Sequence, residues 1–457
     1  MNPPYLRRFS VCVLLTAMTA TATAQQTPTT APAGTAPTAG ALQTDPAPRV
    51  RNLKMAQRVQ APQGHARLLV GVRTLTSAKL VFQITAVKGN RLVKTIRSAE
   101  LEPAGRVYVI VEATDQRGYQ LPAGAYRVRA QATDASGRVS NSIIKGFRVA
   151  YDPPVGRLDG AIQPLWPALA RSIGQAGQRG QLVAALEPGG ALVKAGVRRG
   201  DVITSLAGQP TLSTGQFDHV IRGLPAGTPV NITVRRESGD QSFRVTLNPD
   251  WTSPKDLTRA FTVITRREPK SFAYAVSAAR YLIKKGDAAA AQTMINAWPA
   301  AWRRSAVGQV VEAEYVAAAG NNKRALGAWS RAVTRDRRFA DARFGRARTL
   351  DALGKDVYAA RDYSRAFSLD PKRAAAAAFQ AFALFRAGRD SAALLPAISA
   401  EKTDATSPVA KIAAGIALIR NKNRARGVQK LRQGLEIYDD TTAGQAIIDE
   451  YLEKADP

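Results

Sequence analysis

Gly286, Gly320, Gly354 and Gly388 fall 34 residues apart, and small or apolar residues keep step with them. Five positions past each glycine, and past Lys422, come Ala291, Ala325, Ala359, Ala393 and Gly427. Seven positions before each corner stand Ala279, Ala313, Ala347, Ala381 and Gly415, and four before it Leu282, Val316, Leu350, Leu384 and Leu418. Four beyond each small residue come Ile295, Trp329, Tyr363, Ala397 and Leu431. A unit this short cannot bury its apolar face alone and must stack on its neighbours. The phased pattern therefore predicts a helix-turn-helix solenoid of five units over 253–440. Chains built this way usually bind other proteins and seldom catalyse.

A glycine corner after the first helix, an alanine early in the second, an aromatic four on and a proline beyond resemble tetratricopeptide (TPR) repeats. Ala359, Tyr363, Ala366 and Asp370-Pro371 form the cleanest copy. The resemblance implies that the first helix of each repeat lines a concave groove. In this register the groove positions are Arg280, Lys284, Glu314, Arg348 and Asp351, then Phe382, Phe385, Arg386, Ile416 and Arg420. Arginines around a phenylalanine pair suit an acidic peptide with an apolar anchor. The same residues also fit a plain solvated face with the phenylalanines packed between repeats. The lysine-asparagine set of the carboxylate-clamp repeats is missing, so capture of chaperone tails is not implied. A helix over 441–457, entered through Asp439-Asp440-Thr441-Thr442, is expected to cap the stack.

Upstream, the stretch from Gly189-Gly190-Ala191-Leu192 through Ala195-Gly196-Val197 to Gly200-Asp201-Val202-Ile203 strongly resembles the centre of bacterial PDZ domains. Locally, a short helix packs its alanine and leucine inward, Gly196 ends it, and Gly200-Asp201 turns into a buried strand. The resemblance covers 156–248 and implies an α+β domain that takes extended peptides by strand addition. In envelope serine proteases of the high-temperature-requirement family, a leucine-glycine-isoleucine loop holds the peptide's terminal carboxylate. The counterpart here is Asp159-Gly160-Ala161, and an aspartate beside a bound carboxylate is repulsive. An internal peptide or an intramolecular neighbour then becomes as good an occupant as a C-terminus. His219, on the expected groove helix Gln216 to Gly223, is either a donor to a peptide side chain or a solvent-facing residue.

Between 61 and 150, apolar residues alternate in Leu68-Val70-Val72, Leu80-Phe82-Ile84, Val107-Val109-Val111 and Tyr126-Val128-Ala130, with turn residues between the runs. That spacing predicts a small antiparallel sandwich of six or seven strands. Leu121 to Val128 followed by Ala132-Thr133-Asp134-Ala135-Ser136-Gly137 resembles the penultimate strand and last turn of bacterial immunoglobulin-like domains, which implies a spacer or adhesion module. The fold class expected is thus multidomain: immunoglobulin-like sandwich, PDZ-like α+β domain, all-α TPR-type solenoid.

Arg7-Arg8, an apolar stretch from Phe9 to Ala20 and the small residues Ala22-Thr23-Ala24 read as a secretory signal peptide over 1–24. The only cysteine, Cys12, falls inside it, so the mature chain carries no thiol chemistry. Residues 25–60, rich in Thr, Ala and Pro, read as a disordered linker. The protein is expected in the periplasm or cell envelope, or outside the cell, with no transmembrane segment after cleavage.

A net charge of +30 favours anionic partners such as acidic peptides or an anionic envelope surface. From residue 251 onward there are 35 Lys and Arg against 21 Asp and Glu, and before it 30 against 14. The excess is spread along the chain, not gathered in one basic arm, which argues against nucleic acid. His65 and His219 are the only histidines, and no nucleophile elbow or phosphate-cradling loop occurs. The sequence therefore predicts no enzyme, no metal and no cofactor. It points to an exported scaffold that binds protein or peptide ligands through its PDZ and TPR grooves, or to a regulatory partner of an envelope protease, or to a binder of anionic envelope polymers or nucleic acid.

Overall fold

The computed structural model describes residues 47–62, 66–98, 100–117, 119–152, 156–249, 255–438 and 441–452. The expected signal peptide, His65 and the last five residues lie outside them. The chain falls into two compact units, one built on 66–150 with the segment from Asp440 onward, the other on 151–439.

In the first unit the alternating runs are strands: β3 (Arg67–Thr74), β4 (Lys79–Ala86), β6 (Gly105–Glu112) and β7 (Gly124–Thr133). With β1 (Val50–Met55), β2 (Arg58–Pro62), β5 (Arg91–Arg97) and β8 (Ile143–Asp152) they make two sheets, ordered β1-β3-β6 and β2-β8-β7-β4-β5. Leu68, Val70, Leu80, Phe82, Ile84, Val128 and Ala130 point inward and are buried, as a period of two requires. β1 and the first part of β2 correct the expected boundary, since they fall within the stretch read as linker, 25–60. Val50, Leu53 and Val59 are buried there, three apolar residues that the surrounding polar composition conceals.

A second correction concerns the C-terminal helix, Thr441–Ile447, which continues as a π turn to Leu452. It belongs to this β unit instead of capping the repeats. Gln445 donates through Nε2 to the Tyr108 carbonyl at 2.8 Å and accepts from the Ile110 amide at 3.5 Å. One side-chain amide thus satisfies backbone groups at the outer edge of β6, an edge that is otherwise a template for further pairing.

The second unit opens with the PDZ-like elements: β9 (Gly156–Arg157), β10 (Gly160–Pro164), α1 (Pro167–Ser172), β11 (Gln181–Leu186), α2 (Ala191–Lys194), β12 (Val202–Leu206), β13 (Gln209–Pro210), α3 (Thr214–Arg222), β14 (Pro229–Arg236), β15 (Gly239–Thr246) and β16 (Asn248–Pro249). The main sheet runs β10-β11-β12-β14-β15, so β10 lies at one edge. Gly196, at φ +90°, ends α2 in a conformation that side-chain-bearing residues rarely adopt. Asp201 then accepts from the Arg198 amide at 2.8 Å and takes Arg236 in a two-bond fork at 2.6 and 2.7 Å. That pins the turn between α2 and β12 to β14.

The solenoid follows. After α4 (Thr258–Arg267) come the pairs α5 (Phe272–Lys285) with α6 (Ala288–Asn296) and, past the short α7 (Ala300–Arg304), α8 (Ala306–Ala318) with α9 (Asn322–Arg335). Then come α10 (Ala340–Ala352) with α11 (Asp356–Leu369), α12 (Ala374–Arg386) with α13 (Asp390–Thr403), and α14 (Pro408–Arg420) with α15 (Arg424–Leu435). The glycine spacing is one cap repeated. Gly286, Gly320, Gly354 and Gly388 are left-handed, and Lys422 takes the same conformation at φ +68°. At each corner the following amide reaches back five residues, as Asp287 to Leu282 and Asn423 to Leu418 do. Ala291, Ala325, Ala359 and Ala393 are fully buried where the paired helices cross. Gly415 and Gly427 cross closely, since a Cβ on Gly427 would meet the Gly415 carbonyl at 2.8 Å.

Burial at the end of the solenoid pushes the Glu436 carboxyl up to about 7, against the lowering effect of Arg432 and Lys411. A carboxyl raised on folding costs stability once the unfolded chain ionises and the folded chain does not. The loss begins near pH 4.5 and is complete above about 7. Glu436→Gln is therefore expected to stabilise the chain by roughly 1–2 kcal/mol at pH 8 and to change nothing at pH 4. Denaturant titrations at the two pH values check this.

Candidate polypeptide-binding site

In PDZ domains of the type this sequence resembles, a peptide lies between an edge strand and a helix, here β10 and α3. Both elements are bound by the chain's own solenoid.

On the α3 side, Ser213 caps the helix. Its Oγ accepts the Gln216 amide at 3.1 Å, and Gln216 Oε1 accepts the Ser213 amide at 3.1 Å. Phe217, Val220 and Ile221 pack into the PDZ core. The opposite stripe turns to the repeats. Ser213 Oγ and the Gly215 amide donate to the two carboxylate oxygens of Asp370, at 2.7 and 2.8 Å. Thr214 Oγ1 donates to Asp341 at 3.1 Å, and Arg222 pairs with Asp404 at 3.1 Å. Asp370 and Asp404 are 34 residues apart, each closing the second helix of a repeat. So α3 spans two successive repeat corners, one carboxylate at its positive N-terminal end and the other on Arg222 near its C-terminal end. Gly215 permits the approach, because a Cβ there would lie 2.7 Å from both Asp370 oxygens.

On the β10 side, Gln163 Nε2 donates to the Ala273 carbonyl at 3.2 Å. Leu165, Trp166, Leu169, Leu182, Ala184 and Val202 share one continuous apolar core with Phe272, Ala273, Val276 and Ala279 of α5. Trp166 is its anchor. The ring meets Phe339 edge-on at 5.0 Å, lies 4.9 Å from the Arg280 guanidinium, and donates through Nε1 to Asp341 at 2.9 Å. Asp341 also takes Arg373. Desolvation pushes the Asp341 carboxyl up, but the Arg373 charge and the bonds from Arg373 and Trp166 outweigh it and hold the group below the ordinary carboxylate range.

The expected carboxylate loop has a different job. Asp159 is fully buried, accepting from the Ala191 amide at 2.8 Å and Asn248 Nδ2 at 2.6 Å and pairing with Arg157 at 3.2 Å. It braces α2 and β16 and does not face a ligand. Gly160 pairs with Leu186, where a Cβ would meet the Ala185 carbonyl at 2.5 Å. Ala161 packs on the core shared with the solenoid. His219 is half-buried on α3, and its Nδ1 is buried with no hydrogen-bond partner. Next to it, burial pushes the Asp218 carboxyl up, against the pull of Arg222, Arg373 and Lys284.

The expected solenoid groove is also largely spoken for. Arg280 forks onto Glu314 at 2.9 and 3.0 Å, while Lys284 stays exposed and Arg348 is half-buried. Arg386 bridges Asp351 and Asp356. Arg420 pairs with Asp390 at 2.7 Å over the Phe385 ring. Phe382, Phe385 and Ile416 are buried, the two phenylalanines continuing an aromatic run through Phe344, Tyr363 and Phe379. The phenylalanine pair is therefore core and not an open anchor pocket. A repeat period assigns residues to a helix face but does not show what covers that face. Trp166, Asp341, Asp370 and Asp404, which help join PDZ to solenoid, carry no local sequence signal of that role. The one available signal was an aspartate recurring at 336, 370 and 404.

Residues 169–247 match the PDZ domain family. Among curated proteins, a probable periplasmic serine endoprotease DegP-like of Pseudomonas fluorescens is 33% identical over 125 residues, 27% of this chain and 25% of that protein. The periplasmic pH-dependent serine endoprotease DegQ of Escherichia coli is 28% identical over 138 residues, 30% of this chain and 27% of that one. The chain thus spans about a quarter of the length of these relatives. Among solved structures, YrrB, described as a TPR protein with an unusual peptide-binding site, is 16% identical with a TM-score of 0.34, covering 42% of this chain and 99% of its own. What the chain holds in common with known families is therefore a PDZ domain, set here against a helical repeat.

Proposed function

We propose that this protein is a non-catalytic, exported scaffold that binds polypeptide in the cell envelope, with the PDZ domain and solenoid acting as one composite receptor. The observation that carries this reading is that β10 and α3, the two elements that bracket a PDZ-bound peptide, are each fixed to the repeats. A peptide adding to β10 would lie against elements that are already held in place, with the half-buried His219 of α3 beside it. Preorganisation of this kind lowers the ordering cost of binding. Export is supported by the periplasmic relatives over the PDZ region, and the β unit is read as immunoglobulin-like. Its Tyr126 hydroxyl donates to the Pro122 carbonyl at 2.7 Å, the local bond of a tyrosine corner.

Screening C-terminal and internal peptides against the purified chain is expected to yield binders that His219→Ala weakens about fivefold, with thermal unfolding unchanged. If no peptide of either kind binds, or if binding is indifferent to His219, the composite-receptor reading fails. A second reading, a regulatory partner of an envelope protease, is favoured by the protease-type PDZ match. It requires that adding the chain change the rate of a periplasmic serine endoprotease on an unfolded substrate.

A further inference from the structure

The second helices of consecutive repeats turn one face outward, and on α9 and α11 every exposed charged residue of that face is a cation. Lys323, Arg324, Arg331 and Arg335 on α9, with Arg338 just beyond, are exposed. Lys355, Arg361, Arg365 and, past the helix, Lys372 continue the row one repeat on, Arg331 and Arg365 holding the same repeat position. α9 contains no aspartate or glutamate. α11 contains two, and both are used inward, Asp356 on Arg386 and Asp362 on Arg343 and Arg346. Among the described residues the ion pairs of this row are those of Arg324 and Arg331 with Glu312, at 3.8 and 3.5 Å, while Asp336 accepts the Arg338 backbone amide at 2.9 Å.

The row ends in apolar residues. Tyr358 on α11 is 61% exposed, and on α13 Leu395 is 73% and Ile398 42% exposed. Leu395 holds the repeat position of Arg361. A solvated basic surface gives no reason for a leucine and an isoleucine standing open beside it. A polyanion in solution would leave them wet, and a single exposed aromatic is too little to stack a nucleic-acid strand. A bilayer surface satisfies both halves, with headgroup phosphates against the arginine forks and the tyrosine, leucine and isoleucine in the acyl boundary. We propose that the outer face of α9, α11 and α13 docks the protein peripherally on a membrane rich in anionic phospholipid. No helix among the described residues is long and apolar enough to cross a membrane, so attachment by this face is superficial. The proposal does not depend on the PDZ groove binding peptide.

Co-sedimentation of the full chain with vesicles of phosphatidylcholine, with and without phosphatidylglycerol, tests it. The chain is expected to bind only when phosphatidylglycerol is present, and more weakly as salt rises. Replacing four cations at once (Arg335→Gln, Arg338→Gln, Arg361→Gln, Arg365→Gln) should lower the partition at least about thirtyfold. Leu395→Ser with Ile398→Ser should lower it about tenfold at physiological salt and much less at low salt. All six sites are exposed, and unchanged circular dichroism spectra and thermal unfolding confirm that the variants fold. Equal binding to phosphatidylcholine alone, or wild-type binding by the arginine variant, overturns the proposal. So does indifference to the Leu395 and Ile398 changes, because the face would then take any polyanion, such as soluble polyphosphate.

Discussion

Trp166→Ala is expected to destabilise the PDZ–solenoid unit by about 4 kcal/mol and to split its unfolding into two transitions. The indole is 6% exposed and sits where the PDZ and repeat cores merge. Its removal deletes the edge-on contact with Phe339, uncovers Arg280 and takes a donor from Asp341. Neither half supplies other apolar atoms to fill so large a void, so the loss falls at the junction and not within either fold. Denaturant unfolding followed by far-ultraviolet circular dichroism, with limited proteolysis to report separation of the parts, is the measurement. A single transition with a loss under about 1 kcal/mol would mean that the shared core contributes little to coupling.

Asp341→Ala is expected to cost about 3–5 kcal/mol, because it leaves Arg373, 8% exposed, without its nearest carboxylate and strips partners from Thr214 and the Trp166 indole. Asp341→Asn keeps the shape and removes the charge, which isolates the pH dependence. The folded-state pKa of Asp341 lies below its ordinary value. The stabilisation it gives is complete above the ordinary carboxylate range and is lost as the pH falls through the depressed folded value. Wild type and Asp341→Asn should therefore differ most near neutrality and converge in strong acid. Because Asp341 and Trp166 touch, the double variant should lose less than the sum of the single losses. Full additivity would show that the contact is not energetically coupled.

Trp166 and Asp341 both act through partners far away in the chain, and no local sequence signal marks them. The repeat corners were legible because each is local, a left-handed residue four positions after a leucine or valine and two before a helix. The PDZ fold was legible because the stretch from Gly189 to Ile203 carries its own turns and its own buried strand. The alternating runs of the β unit were legible for the same reason. The β1 and β2 strands were not, since Val50, Leu53 and Val59 sit in a stretch whose average composition is that of a linker. The helix after Asp440 follows the solenoid directly in sequence, yet it finds its partner groups on β6, more than 330 residues back.

By itself the sequence determined what repeats and turns determine: a five-unit helical stack, a PDZ domain, a β-rich start and a strongly basic surface. Only the tertiary structure decided that the PDZ helix α3 lies across the corners of the stack. Ser213 and Asp370 are 157 residues apart in the chain, and neither carries a local signal of the other. It also decided that Phe382 and Phe385 are core, that Asp159 is a brace, and that the outer face of the stack stays open and charged. The physical reason is range. Caps, turns and periodic faces are set by atoms within a few residues of one another. Which face meets which is set by burial summed over the whole assembly, and that quantity does not exist until the chain has folded.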